Sequence, residues 1–197
     1  MRHGAYEGHR AGYHAPYDAP LTKEGREQVS RAIPVPQDII GIVTSPLPRA
    51  VQTAESMSGL SGLPILATSG LLAEWRAPSA VIGRTAADYP PAYVAWRKYR
   101  LNDPWTGFAD GESLTSLHER ARQAAAYLTA LSKAEGGSLL AVSHKLLMGV
   151  LTRLAEGPQA FESATLSQWR FAEMRFFDAP HSAQSSATGS ERAGDPH

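Results

Sequence analysis

The chain predicts an α/β fold: a three-layer sandwich with a mostly parallel central sheet flanked by helices, plus a small helical lid insertion over about 75–110. Three observations carry this. Short, nearly continuous apolar runs end in polar residues at DIIGIVTS (38–45) and SLLAVSH (138–144), and such runs suit strands buried on both faces. Helix-period segments lie between them, and that alternation places helices on the faces of a parallel sheet. The length, 197 residues, fits one domain with a full core. Residues 1–178 are read as that domain and 179–197 as a disordered, Ser/Ala/Gly-rich tail.

Each element has its own warrant. Residues 6–20, rich in Gly, His, Tyr and Pro, read as a loop. Thr22 is an N-cap for KEGREQVSRAI, which stops before Pro34. DIIGIVTS is the first strand. PLPRAVQTAESMS follows as a helix with prolines in its first turn. PILAT (64–68) is a second strand candidate. Residues 75–108 are irregular and hold three of the four tryptophans, which argues for an inserted lid rather than a linker. ESLTSLHERARQAAAYLTALSKAE is the strongest helix, with Leu114, Leu117, Ala121, Ala124, Leu128 and Leu131 on one stripe. Gly136-Gly137 ends it, SLLAVSH is a strand, KLLMGVLTRLAEG (145–157) a helix, and TLSQWRFAEMRFFDA (165–179) is strand-like but mixed. No internal repeat is present.

Composition excludes several classes. Nineteen basic and nineteen acidic residues cancel, so a generally basic surface for nucleic acid or anionic membrane is not indicated. The absence of cysteine removes disulfides, zinc–thiolate sites and thiol nucleophiles, and fits a reducing, cytoplasmic setting. No apolar run reaches the ~20 residues that span a bilayer, and an apolar signal-peptide core is missing. Oligomeric state is not written in the sequence, and a homodimer is compatible with it.

In open parallel sheets, ligands gather at the carboxyl ends of the strands. If the three strand candidates are parallel, Arg49, Glu74 and His144 fall on one rim. Arg2 and His3 join them only if the chain ahead of His3 is also in the sheet. Two arginines and two histidines around one point suit a phosphoryl group. Arginine grips two phosphate oxygens and stays charged. A neutral imidazole attacks phosphorus once its other ring nitrogen is fixed. A carboxylic acid such as Glu74 gives the leaving alkoxide its proton. Asp88 and Asp110 are alternative acids. No metal or other cofactor is needed, because the arginines supply the charge stabilisation.

The pieces RHG (2–4), DAPLTKEGREQ (18–28), SPLPRAVQTAE (45–55), LLAE (71–74), GESLTSLHERA (111–121) and AVSH (141–144) occur in an order and at spacings that resemble the histidine phosphatase superfamily, in the branch with the cofactor-dependent phosphoglycerate mutases. The resemblance covers most of residues 2–150. It implies His3 as nucleophile, Arg2, Arg49 and His144 as the phosphate pocket, and Glu74 as proton donor. Gly4, His9 and Lys145 are further candidates for touching substrate, Lys145 being read alternatively as a solvated lysine, and a small phosphate ester is the expected partner. Four departures stand out. Tyr6 and His9 replace a small hydroxyl residue and an asparagine. WRAPSAVIG (75–83) replaces a glycine- and glutamate-containing pattern. Lys145 stands where glycine is common. The strand ahead of RHG is absent, so the expectation is that the natural chain starts upstream or that His3 is loosely aimed in a poorly stable protein.

The functional expectation is a phosphomonoester hydrolase for a small metabolite, working through a phosphohistidine. A phosphoglycerate mutase-like isomerase and a non-catalytic phospho-ligand or protein-binding domain are the alternatives. Glu112 and Ser113 read as helix-start residues. Trp75, Tyr89, Tyr93, Trp96, Trp105 and Phe108 are read either as an apolar substrate pocket or as a satellite core under the lid. Arg76, Arg84, Arg97, Lys98 and Arg100 beside those rings hint at a substrate larger and more anionic than phosphoglycerate. His9, Arg10, Tyr13 and His14 lie on the loop where substrate-reading residues would sit.

Overall fold

A computed structural model describes residues 1–177 apart from Ala11 and Ala15. The expected tail, 179–197, lies outside the described residues. The sheet consists of β1 (Ile39–Thr44), β2 (Ile65–Thr68) and β3 (Ser138–Val142), in the order β2-β1-β3 and parallel throughout. Helices α1 (Lys23–Ser30) and α2 (Pro48–Ser61) cover one face. Helices α4 (Leu114–Glu135), α5 (Lys145–Leu151) and α6 (Ala160–Leu166) cover the other, and α3 (Pro91–Tyr99) lies in the insertion. The three-layer reading holds.

The two sides of β1 explain its apolar run. Ile39 and Ile42 pack with Val29 of α1 and with Ala50, Ala54 and Met57 of α2, whereas Val43 packs with Leu117, Ala121 and Leu147 on the opposite face. A strand covered on both faces has no polar side to alternate with. Caps fall where the sequence places them. Thr22 accepts from the Gly25 amide, Ser113 accepts from the Ser116 amide, and Gly136 ends α4 in the left-handed conformation at φ 76°.

Three expectations change. The N-terminus is not loose. The Ser143 amide donates to the Met1 carbonyl and the His3 amide donates to the Ser143 carbonyl, both at 3.0 Å, which extends the sheet beyond β3 in parallel register. On the far side, the Arg2 amide donates to the Glu173 carbonyl and the Ala172 amide to the His3 carbonyl. His3 is thus gripped from both sides and 3% exposed. The strand-like segment expected over 165–179 is not a strand over its described residues, 165–177: α6 runs through Leu166, and the remainder to 177 is irregular, anchored by buried Trp169 and by Ala172 at φ 56°. The helix expected over 145–157 stops at Leu151, and a 3₁₀ turn follows over Leu154–Gln159, broken at Gly157 (φ 63°).

The insertion is part of the body. Trp75, Val81 and Tyr93 are buried in the same cluster as Leu72, Leu114, Leu117 and Phe161. Tyr89, Trp96 and Phe108 pack against that cluster, and Trp105 is 74% exposed. Trp75 and Tyr93 are core, Tyr89, Trp96 and Phe108 pack on it half-buried, and Trp105 stands in solvent. Arg100 locks the insertion down: it sits between the Trp96 and Phe161 rings and makes a two-pronged pair with Glu162 of α6 at 2.6 and 2.8 Å.

Candidate active site

Everything that matters converges where β1, β3 and the N-terminal segment end side by side. After β1, Ser45 turns the chain into α2, whose first turn carries Arg49. After β3, Ser143-His144 turns it into α5. Parallel pairing puts these turns on the same rim, and the Arg2–Ser143 bridge adds His3.

His3 has a defined tautomer. Its Nδ1 lies 2.7 Å from the Gly4 carbonyl oxygen, an acceptor only, so Nδ1 carries the proton and donates. Nε2 is left with a lone pair, which accepts from Arg49 Nε–H at 3.3 Å. The ring is tilted against His144, centroid to centroid 4.9 Å, and meets Tyr6 edge-on. Burial first, then the Arg49 guanidinium, holds the His3 imidazole well below its usual pKa. His144 is pushed the same way by burial, then by His3 and Arg49. Both rings are therefore neutral near pH 7, the form in which an imidazole has a lone pair to offer.

The cations are aimed by the backbone. Arg49 is 4% exposed; its Nη1 donates to the Pro16 and Tyr17 carbonyls, and its guanidinium lies 5.1 Å from the Tyr6 ring. Arg2 donates from Nη1 to the Trp169 carbonyl at 2.6 Å and stacks on Phe171 at 3.8 Å. Two of the buried side-chain polar atoms without a partner among the described residues, Arg2 Nε and His144 Nδ1, belong to this cluster. A buried polar group left without a partner is costly. His144 Nε2 is 2.7 Å from Ser45 Oγ, which fixes the ring.

Glu74 stands on the α5 side of the cluster. One carboxylate oxygen accepts the Trp75 and Leu147 amides at 2.9 and 3.1 Å, and the other accepts the Leu146 amide at 3.3 Å. Its charge is felt by both Arg2 and Arg49. The alternative acids point elsewhere: Asp110 caps Ser79, and Asp88 binds Thr85.

Of the remaining candidates, Gly4 enters through its backbone. Its amide donates to Thr53 Oγ1 and its carbonyl holds His3. His9 is exposed, edge-on to Phe171 and Tyr6. Lys145 donates to the Thr165 carbonyl at 2.8 Å, and burial with the nearby Arg2 charge lowers its pKa. The sequence did not single out Phe171, which stacks on Arg2 and packs near His3 and His9. Ser113 alone caps α4, while Glu112 turns away to grip Arg120.

A family model for the histidine phosphatase superfamily (branch 1) matches residues 1–178. The chain belongs to that superfamily. No curated protein sequence matches this histidine phosphatase. Among solved structures it is similar to a mycobacterial glucosyl-3-phosphoglycerate phosphatase in complex with VO3, at 28% identity over 87% of this chain and 85% of that one, TM-score 0.68. It shares the fold of the alpha-ribazole phosphatase from Shigella flexneri (21%, covering 87% and 85%, TM-score 0.67). A phosphoserine phosphatase from Entamoeba histolytica has that fold too (20%, covering 86% and 84%, TM-score 0.63). Among the described residues, no helix is long and apolar enough to cross a membrane.

Proposed function

We propose that this histidine phosphatase hydrolyses the phosphomonoester of a small metabolite through a phosphohistidine on His3. The observation that carries the reading is the His3 imidazole itself: neutral, with Nδ1–H tied to the Gly4 carbonyl and the Nε2 lone pair presented to Arg49. The arriving phosphoryl oxygens replace that lone-pair contact and take donors from Arg49, Arg2 and His144. Nε2 bonds to phosphorus as the bond to the ester oxygen breaks, and Glu74, which takes up a proton from solvent as substrate binds, gives that proton to the departing oxygen. Water then attacks the phosphohistidine, Glu74 takes the proton back, and inorganic phosphate leaves with His3 restored. Planar fork donors suit the three equatorial oxygens of such a transition state. The relative captured with VO3 supports the reading, vanadate being an oxyanion of phosphate's shape.

The test is phosphate release from p-nitrophenyl phosphate and from a panel of metabolite phosphates, with a rapid alkaline SDS quench to trap phosphoprotein. Turnover and an acid-labile phosphoprotein are expected, both lost in His3→Ala. Turnover surviving that substitution overturns the mechanism. Interconversion of 3- and 2-phosphoglycerate that outruns hydrolysis replaces the hydrolase with a mutase.

A further inference from the structure

The segment carrying Glu74 has no secondary structure of its own. Residues 73–78 form neither helix nor strand, so their carbonyls have no ladder to join. Buried main-chain oxygens need donors from somewhere. Tyr17 Oη donates to the Trp75 carbonyl, and one side chain supplies those around Glu74. Arg120, on α4, donates from Nη1 to the Leu71 and Ala73 carbonyls at 3.1 and 2.7 Å, and from Nη2 to the Glu74 carbonyl at 3.3 Å. Its Nε and Nη2 also donate to the two oxygens of Glu112, both at 2.8 Å. A guanidinium has five N–H groups, and all five are engaged.

Glu112 closes the clamp from the other side of Glu74. Its carboxylate accepts the Arg76 amide at 3.1 Å, its carbonyl accepts Trp75 Nε1 at 2.8 Å, and its amide donates to the Arg76 carbonyl. The pair is largely buried, with side chains 19% and 11% exposed. Each main-chain group that Arg120 and Glu112 hold lies within three residues of Glu74. Ser143, next to His144, adds one more tie by donating to the Leu72 carbonyl at 2.7 Å. The main chain that carries Glu74 is thereby referenced to α4 and to the strand end bearing His144, while its carboxylate is held by the Trp75 amide and by the Leu146 and Leu147 amides of α5.

We propose that Arg120, paired with Glu112, is a positioning residue that sets Glu74 at the leaving-group oxygen; this rests on the phosphatase reading above. Positioning a general acid has a signature that fold support lacks. An alkoxide leaving group needs its proton as the P–O bond breaks, and a general acid contributes about 10²–10⁴-fold to such a step. A 2,4-dinitrophenolate departs without one. The quantity kcat/KM reports steps through departure of the leaving group, so later water attack does not blur the comparison.

The experiment measures kcat/KM on glycerol phosphate and on 2,4-dinitrophenyl phosphate for wild type, Glu74→Gln, Arg120→Lys and Glu112→Gln. Lysine carries its charge but cannot bridge a carboxylate and three carbonyls. For each variant the loss on the alkyl ester is expected to exceed the loss on the dinitrophenyl ester by at least about tenfold. Arg120→Lys/Glu74→Gln should be no slower than Glu74→Gln alone within about threefold, because the two act as one unit. Equal losses on both esters, or independent losses in the double variant, overturn the positioning role and leave the phosphatase reading standing. Failure of the wild type to hydrolyse either ester overturns both. If Arg120→Lys does not fold, Glu112→Gln carries the test, with orthovanadate inhibition reporting an intact phosphoryl pocket.

Discussion

Gly25 sits in the first turn of α1, where the helix lies directly on the chain that leaves His3. A Cβ built there would stand 2.0 Å from the Ala5 carbonyl oxygen and 2.9 Å from the Ala5 carbonyl carbon and amide nitrogen. These are main-chain atoms and do not swing aside. Relieving the clash to beyond about 3 Å moves the 4–5 backbone or the helix by about 1 Å. The same carbonyl accepts from the Thr22 amide at 3.0 Å, so that bond is disturbed too. Overpacking costs about 1–3 kcal/mol and the bond about 1, while alanine's better helix propensity returns about 1. Gly25→Ala should therefore lose about 1–3 kcal/mol in urea unfolding and melt about 2–4 °C lower per kcal/mol. The displacement also reaches His3, the proposed nucleophile, because Gly4 packs against Gly25 and its carbonyl holds His3 Nδ1. A shift of that size costs about 10²-fold in rate. Gly59→Ala is the control: it lies in α2 with nothing within 4 Å of the new methyl, and should stabilise by up to about 1 kcal/mol. If Gly25→Ala stabilises as Gly59→Ala does and leaves kcat/KM unchanged, α1 does not rest on the catalytic segment and the reasoning fails.

Acid should unfold the protein through its site. His3 and His144 are both held below 6.5 by burial, so their stabilisation is complete above the unfolded value and is lost as pH falls toward the folded ones. His14, lowered to about 4 by burial, acts in the same sense. From pH 6.5 to 5.5 the two site histidines together should cost about 2 kcal/mol, and His3→Asn/His144→Asn should flatten the urea-stability profile by that amount; a wild-type profile no steeper than the variant's contradicts the burial of neutral rings. The Arg100–Glu162 pair gives an independent check on the insertion. Glu162→Ala strands a guanidinium that is 5% exposed, and should cost about 2–3 kcal/mol, less than a fully buried pair because Glu162 is 34% exposed. Arg100→Met/Glu162→Leu should restore most of it, and a loss below about 0.5 kcal/mol in Glu162→Ala would show that the pair does not hold the insertion down.

The parts of this fold legible in the sequence are those whose cause is local. The β1 run, the Thr22 and Ser113 caps and the Leu114–Leu128 stripe each express a periodicity or a hydrogen bond within a few residues, and each is found where it was expected. The arrival of Arg49 and His144 on one rim was legible because parallel strands fix which ends coincide. What escaped has its cause far along the chain. The backbone around His3 is gripped by Ser143 and Ala172, more than a hundred residues away. The irregular run after α6 carries no pattern that marks Phe171 as Arg2's stacking partner. Glu112 beside an N-cap reads as a helix-start charge, and only the return of the 71–76 segment shows that it faces Arg120. The same asymmetry holds across the site. The sequence displays donors and nucleophiles by residue type, but their acceptors are main-chain carbonyls of Gly4, Pro16, Tyr17, Ala73, Glu74 and Trp169, and a carbonyl is the same at every residue. Much of the aim of this chemistry therefore rests on groups with no side-chain signature, in stretches with little regular structure. That is why substitutions which move backbone, such as Gly25→Ala, should disable it as surely as those which remove a charge.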